Sequence, residues 1–330
     1  MTGATGDYDG RDGVQSVREL MREDLPPMRW FLPGIIPLRG VTLFFASEKS
    51  GKSALVLSAI ISAAHGDRVL GHWQPDGEIG TLYLDLETPK AAATDRVGVL
   101  CAGRAFPHRL DIVCADSALA GGVLGWPRMH DGGLEKLDRY LAHHRTDLVV
   151  VDTWGLFKSS RHVGAQYSYD RDVAEVQELK VLAARHNAGV FLIHHEKKGR
   201  GDDWVQRASG TTGLTGSCDT LVNLERIRGG VTALLRVTGR YVRTSRHRLA
   251  FNDTTLAFTY LHDADTSAMS EARVEIVALL HMLEEPMSPS ELAITLNKRP
   301  GTVRMLLANM LKAGEVLVTD DRRYTVPLEE

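Results

Sequence analysis

The segment 41–53 constrains the fold of this chain more than any other stretch, and it reads VTLFFASEKSGKS. Its first residues form a β-branched and aromatic run that is typical of a buried strand. Residues 54–61 then show the apolar periodicity of a helix. A tight turn between a buried strand and a helix N-terminus presents unpaired backbone N–H groups that favour an anion. The segment therefore predicts a phosphate-binding loop followed by a helix that begins near Lys52.

The loop residues have distinct expected roles. Gly51 lets the backbone approach closely, Lys52 reaches the terminal phosphates, and the Ser53 hydroxyl is placed to hold Mg²⁺. Ala46 stands where such loops usually carry their first glycine, and an alanine side chain restricts φ. A surface turn without a ligand is the alternative, and the flanking strand and helix argue against it. We expect ATP and Mg²⁺ as ligands, with a binding set of Ala46, Ser47, Glu48, Lys49, Ser50, Gly51, Lys52, Ser53 and Ala54.

Composition places the chain among ordinary globular proteins. Its 330 residues are 43 % hydrophobic and 25 % charged, which fits one sizeable α/β domain and a smaller one. No apolar run approaches the length of a membrane span, and the first residues lack a signal-peptide pattern, so we expect a cytoplasmic protein. The net charge of −3 gives no global attraction to nucleic acid. Any contact with DNA must therefore depend on local basic patches.

Two later segments read as buried strands with acids at their ends. Residues 80–89 form one strand, in which alternation places Asp85 and Glu87 on one face. Residues 147–154 form another, with aliphatic residues that lead to Asp152. Ligands gather at the carboxyl ends of parallel strands, so Glu87 is expected near the phosphates and Asp152 is expected to orient Mg²⁺. A solvated strand end and a strand cap are the respective alternatives.

A fourth strand, residues 189–195, ends in His194 and His195 and follows a helix predicted over 172–188. Neighbours on a strand point to opposite faces, so the two rings cannot readily share one metal ion. The interpretation favoured here is that one of them faces the γ-phosphate as a polar sensor. The alternation of strands and helices predicts a parallel sheet with right-handed crossovers.

Two polar segments are candidates for holding a nucleic acid strand. Residues 158–169 are expected to form a mobile loop. Residues 196–217 are rich in glycine, hydroxyls and basic groups, which can hold phosphates without reading sequence. A flexible connector is the alternative for this second segment. The candidate DNA-binding residues there are Lys197, Lys198, Arg200, Arg207, Ser209, Thr211 and Thr212.

The segment 226–248 carries seven arginines and no acid. Its alternating apolar residues predict antiparallel edge strands. Charged residues on such strands can protect an exposed edge against aggregation. This role can hold for some of the arginines and a functional role for others.

The last sixty residues form a separate pattern of helices and a hairpin. We expect an N-terminal tail over 1–27, an ATPase-like core over 28–262, a linker over 263–270 and a small domain over 271–330. In this small domain Ser288 is a predicted N-cap, with a capping box to Glu291. The order helix, helix, helix, hairpin predicts a winged helix-turn-helix, with its recognition helix near 302–312.

The predicted recognition helix is locally basic, because residues 298–312 hold four bases and no acid. The whole of 271–330 is nevertheless acidic, with seven bases against ten acids. We therefore keep both a duplex-DNA contact and a replication-protein contact open for this domain. Its candidate DNA-binding residues are Arg299, Thr302 and Arg304.

The phosphate loop, Glu87, Asp152, the two histidines and the basic loop occur in the order found in the RecA-like ATPases, which the chain resembles. Within them it is similar to the hexameric RepA-type plasmid and phage helicases, which are themselves similar to DnaB. The resemblance implies an α/β fold: a RecA-like parallel-sheet P-loop NTPase core, here with a small C-terminal winged-helix domain. It implies that Glu87 polarises the attacking water and that His195 or His194 is the sensor. It also implies that Arg240 is a finger for a neighbouring subunit's site.

The function expected from this resemblance is an ATP-dependent motor on single-stranded DNA, namely a replicative helicase of a phage, plasmid or other mobile element. Such a protein is expected to work as a homo-oligomer, a hexamer, and to have no membrane partner. Two alternatives remain. One is an ATP-gated DNA-binding initiator or regulator that does not unwind DNA. The other is a RecA-like recombinase.

Overall fold

The computed structural model describes residues 15–118, 124–159, 165–197, 203–208, 210–226, 230–264, 271–283 and 285–327. The predicted contacts at Lys198, Arg200 and Ser209 lie outside these residues, as does most of the predicted tail and linker. Within the described residues, no helix combines the length and the apolar character needed to cross a bilayer.

The strands are, in chain order, β1 Trp30–Leu32, β2 Ile36–Pro37, β3 Gly40–Ala46, β4 Thr81–Asp85, β5 Leu110–Cys114, β6 Leu148–Asp152, β7 Gly189–His195, β8 Thr220–Arg226, β9 Thr232–Gly239, β10 Ser245–Phe251, β11 Phe258–Asp263, β12 Leu317–Val318 and β13 Tyr324–Thr325. The helices are α1 Val17–Leu20, α2 Lys52–Ala64, α3 Lys90–Cys101, α4 Leu134–His143, α5 Trp154–Phe157, α6 Ala165–His186, α7 Thr212–Ser217, α8 Glu271–Leu283, α9 Pro289–Thr295 and α10 Pro300–Lys312.

One large sheet organises the core. In the described residues it has nine strands in the order β11-β10-β9-β8-β3-β7-β6-β4-β5. The six strands from β8 to β5 run parallel, whereas β9, β10 and β11 extend the sheet in antiparallel fashion. The prediction of an α/β fold with a parallel-sheet core is confirmed, and so is the prediction of antiparallel edge strands after residue 226.

Both faces of the sheet are covered, which explains why its strands read as continuous apolar runs. Phe44 and Phe45 are adjacent on β3, and both are fully buried, but on opposite faces. The Phe44 side packs with α2, and the Phe45 side packs with α4 and α6. We call these the α2 face and the α6 face. Because neighbours on a strand alternate, each strand contributes side chains to both cores.

Several boundaries differ from the sequence expectations. Strand β4 ends at Asp85 rather than at residue 89, because the Asp85 carboxylate accepts the Thr88 N–H at 3.0 Å and closes a turn. Helix α6 begins at Ala165, so residues 165–169 are helical rather than part of a loop. Strand β5 and helix α3 were not predicted. The pattern of β5 is weak because three of its five residues are only partly buried at the sheet edge.

The C-terminal elements enclose a hydrophobic cluster of their own, in which Leu279, Leu292 and Leu307 are fully buried. The predicted capping box forms, since Ser288 and Glu291 exchange side-chain-to-backbone hydrogen bonds of 3.3 and 2.7 Å. Helix α10 starts at Pro300, two residues earlier than expected, and a hairpin follows it. The assignment of this unit as a winged helix-turn-helix domain, and the domain boundaries, stay predictions.

Candidate nucleotide site

The phosphate loop connects the end of β3 to the start of α2. Ala46 is fully buried at the last position of the strand and pairs in register with His195. The positive φ angles of the loop occur later, at Lys49 (61°) and Gly51 (93°). A Cβ on Gly51 would also lie 3.1 Å from Cζ of Phe258. Ala46 can replace the usual glycine because its position requires no left-handed backbone. Gly51 is favoured both by its positive φ angle and by the nearby Phe258 ring.

Lys52 occupies the first turn of α2 and is only 7 % exposed. Its Nζ lies 3.3 Å from Nδ1 of His195. The Nε2 atom of the same ring lies 3.5 Å from Oε1 of Glu87. His195 therefore connects the lysine of the loop to the acid that follows β4. These three side chains come from three separate elements that meet at the carboxyl edge of the sheet.

Asp152 ends β6 and is 1 % exposed. Its Oδ2 accepts the Tyr83 hydroxyl at 2.8 Å, whereas Oδ1 is buried without a hydrogen-bond partner among the described residues. Burial raises the pKa of Asp152, and the hydroxyls of Ser53 and Tyr83 act against that rise. A buried carboxylate oxygen without a donor, beside a serine hydroxyl and a lysine, fits a hydrated divalent cation. The residues present are therefore compatible with Mg²⁺ held through Ser53 and Asp152.

Glu87 lies two residues beyond β4 and its side chain is 43 % exposed. Its Oε1 accepts the Thr153 hydroxyl at 3.3 Å, which brings Glu87 next to the residue that follows Asp152. A carboxylate that is accessible to water and held beside the loop lysine has the position needed for a general base.

Asp85 is an acid whose role the sequence did not reveal. It pairs in register with Asp152 across β4 and β6 and is 2 % exposed. Burial, followed by the charge of Asp152, raises the pKa of Asp85 to about 6. The only sequence signal was an acid at the end of a buried strand, and strand order was needed to place it opposite Asp152.

Arg226 is a second residue whose place only the structure reveals. Its Nη1 donates to the Ser50 carbonyl at 3.4 Å, and its guanidinium lies 3.8 Å from the ring centroid of Phe251. Burial lowers the pKa of Arg226. Arg226, on β8, therefore stabilises the phosphate loop through this hydrogen bond. Its sequence context indicated only an edge strand.

His194 and His195 face opposite sides of β7. Their ring centroids are 6.5 Å apart. His194 belongs to the α6 face, is 6 % exposed, and has its pKa lowered to about 4 by burial and then by Lys158. Only His195 of the two lies beside Lys52 and Glu87. Among the described residues, no group of three or more His, Cys, Asp or Glu is arranged to hold a metal ion.

The candidate DNA-contacting residues that the structure describes do not all present free side chains. Lys197 is exposed, whereas Arg207 lies 3.6 Å from Glu225. The Thr211 hydroxyl caps α7 and donates to Asp172 at 2.7 Å, and Thr212 is the first residue of that helix. The segment around 211–217 is therefore a short helix rather than a loop.

Arg299, Thr302 and Arg304 are exposed at the start of α10. The neighbouring Lys298 is partly neutralised, because its Nζ lies 2.7 Å from Glu275.

Arg240 lies at the opposite end of the sheet from the phosphate loop of the same chain. Its neighbour Gly239 pairs with Thr220, which pairs with Thr42 on β3. Four strand residues, about 13 Å, separate Thr42 from Ala46. The Arg240 guanidinium donates to the Gly216 carbonyl at 3.2 Å and lies 3.7 Å from Asp219. Arg240 therefore does not serve this chain's own loop.

A crystal structure of the RadB recombinase is similar at 15 % identity over 70 % of this chain and 93 % of that one, with a TM-score of 0.46. No curated protein matched the sequence significantly. Residues 13–201, more than half of the chain, match the family described as the AAA domain. The matched region includes the phosphate loop, Glu87 and Asp152. The chain therefore belongs to the AAA domain family.

Proposed function

We propose that this protein is an ATP-hydrolysing motor of the RecA-like kind that acts on single-stranded DNA, as a replicative helicase of a phage, plasmid or other mobile element. Membership of the AAA domain family and the geometry of the phosphate loop support the ATPase. The observation that carries the proposal is the meeting of Lys52, His195 and Glu87 at one edge of the sheet, beside Asp152.

In this mechanism the loop N–H groups and Lys52 hold the β- and γ-phosphates. Ser53 and Asp152 would hold Mg²⁺, and the ion would supply positive charge against the phosphates. Glu87 accepts the proton of the water that attacks the γ-phosphorus. His195 lies between Lys52 and Glu87, so it is the histidine placed to sense the γ-phosphate.

The homo-oligomeric part of the proposal assigns Arg240 to a neighbouring subunit's site. Since Arg240 does not reach its own loop, a role in hydrolysis requires a second copy of the chain. Arginine fingers supplied in this way contribute about 10³- to 10⁵-fold to turnover. The proposal therefore includes assembly, expected to be hexameric, with Arg240 exchanging its contact to Asp219 for a phosphate contact.

DNA contact in this proposal involves the exposed Lys197 together with the segments 158–169 and 197–212, and the α10 surface with Arg299 and Arg304. The second of these surfaces also fits an ATP-gated regulator, in which the C-terminal unit binds duplex DNA and no unwinding occurs.

The test is a comparison of wild type with Lys52→Ala in three assays: ATP hydrolysis, single-strand binding and displacement of a strand from a forked duplex. We expect DNA-stimulated hydrolysis and strand displacement by wild type and loss of both in Lys52→Ala. DNA-stimulated hydrolysis without displacement would favour the regulator. Equal hydrolysis by the two proteins would overturn the proposed site.

A further inference from the structure

Glu196 follows β7 directly and touches the phosphate loop, although it has no place in the mechanism above. Its backbone N–H donates to the Ala46 carbonyl at 3.1 Å. Its carboxylate accepts the Ser47 hydroxyl at 2.5 Å. A negatively charged side chain is thus held against the second residue of a loop whose proposed ligand carries three to four negative charges.

The other carboxylate oxygen of Glu196 is held from β8. Asn223, which is fully buried, donates from its amide nitrogen to Glu196 at 2.7 Å and to the Phe45 carbonyl at 3.1 Å. Its amide oxygen accepts Nη1 of Arg236 at 3.2 Å. With its amide nitrogen and oxygen both bonded, Asn223 holds the Glu196 carboxylate in a defined position.

The same residue also anchors the segment that carries two basic side chains. Glu196 forms an isolated antiparallel bridge with Ala208, and the Lys197 N–H donates to the Arg207 carbonyl at 2.7 Å. The Arg207 guanidinium lies 3.6 Å from Glu225, which also pairs with Arg236. Backbone and side-chain contacts therefore both connect the loop at Ser47 to Lys197 and Arg207.

We propose that Glu196 is a positioning residue that couples occupation of the phosphate loop by a nucleoside triphosphate to the placement of Lys197 and Arg207. The inference rests on the proposed nucleotide site. A triphosphate repels the Glu196 carboxylate and competes for the Ser47 hydroxyl, so its binding loosens the Ser47 contact. Because the Ala208 bridge is part of the same backbone, a shift of Glu196 moves the two basic residues.

The first test uses Glu196→Gln, which keeps the shape of the side chain and can still bond both Asn223 and Ser47 but has no charge. We expect it to bind a fluorescent ATP analogue about three- to tenfold more tightly than wild type at low salt, because one repulsive charge is removed. The gain should be smaller for the diphosphate and should shrink with added salt. Glu135→Gln, an equal charge change at an exposed position of α4, should leave the affinity unchanged.

The second test separates charge from contact. Glu196→Asp keeps the charge but is too short to maintain the Ser47 contact in its present form. We expect its ATP affinity to stay within about twofold of wild type. In wild type, a non-hydrolysable ATP analogue should change the affinity for a single-stranded oligonucleotide by at least fivefold. Both Glu196 variants should reduce that change to less than twofold, which a purely structural role would not do.

The outcomes distinguish this inference from the proposed function. If Lys52→Ala binds the ATP analogue as tightly as wild type, the nucleotide site itself is wrong. If Lys52→Ala loses binding while Glu196→Gln behaves like Glu135→Gln, only the role of Glu196 fails. A DNA affinity of wild type that does not respond to the analogue, or responds equally in both Glu196 variants, also overturns the coupling.

Discussion

His194 and His195 are adjacent and chemically identical, yet the two faces of β7 give them different surroundings. His195 is 32 % exposed on the α2 face, between Lys52 and Glu87. His194 is buried on the α6 face, and its Nδ1 has no hydrogen-bond partner among the described residues. One ring can respond to a ligand in the loop, whereas the other stays neutral near physiological pH because its pKa is lowered to about 4. The comparison teaches that the face, rather than the residue type, determines what surrounds each ring.

The α6 face also contains two buried acids that hold the ends of the neighbouring segments. Asp172 accepts the N–H and the hydroxyl of Thr211, at 3.2 and 2.7 Å. Glu175, one turn later, accepts the Ser159 N–H at 3.2 Å, and burial raises its pKa. We therefore expect substitutions of the polar residues beside the loop on the α2 face to affect turnover. Substitutions of the buried polar residues on the α6 face should affect stability.

The largest effect is expected for Glu87→Gln on the α2 face. The amide cannot accept a proton from water, so kcat for ATP hydrolysis should fall by about 10²- to 10⁴-fold. Since Glu87 is 43 % exposed, the free energy of unfolding should change little. Steady-state kinetics and urea unfolding measure the two quantities. A variant with wild-type turnover would refute the role of general base.

A paired substitution of the histidines tests the comparison directly. His195→Gln should lower kcat by about ten- to a hundredfold, because the group between Lys52 and Glu87 is lost. His194→Gln should lower kcat by less than about threefold, since its ring lies on the other face. If the two variants lose turnover equally, the distinction between the faces does not govern function.

His194 should make a distinct contribution to the pH dependence of stability. Its pKa is about 4 in the folded chain, below the ordinary value of about 6.5. The unfolded chain therefore binds this proton more readily, so the stability that His194 contributes is lost as pH decreases from about 6.5 to about 4, by about 3 kcal/mol at most. Asp85, whose pKa is raised to about 6, acts in the opposite direction over part of the same range. In urea unfolding, His194→Gln should lose less stability than wild type as pH decreases over this range.

The smallest effect is expected for Asp172→Ala. Loss of the acceptor for both Thr211 groups should destabilise the protein by about 1–2 kcal/mol and weaken the start of α7. Hydrogen exchange should show faster opening of α7 than in wild type, while β3 keeps its protection. Uniform loss of protection over the whole sheet would show that Asp172 stabilises the fold as a whole.

Much of the fold was predictable because its signals are local. The apolar runs of β3, β6 and β7 and the turn chemistry around Gly51 each lie within about ten residues of sequence. Strand β5 escaped prediction because an edge strand lacks a complete apolar pattern. Helix α7 escaped because glycine and threonine indicate a loop, and Asp172, which accepts the hydroxyl of the N-cap Thr211, lies 39 residues earlier.

The sequence by itself determined that the chain contains a phosphate loop, that Asp152 ends a buried strand and that the two histidines face opposite sides. Those properties depend on hydrophobic runs, backbone alternation and helix capping, which act between near neighbours. Only the tertiary structure decided which histidine meets Lys52, that Asp85 lies beside Asp152 and that Arg226 and Glu196 touch the loop. These contacts depend on the order and register of strands that are far apart along the chain, and no local preference encodes which strands become neighbours.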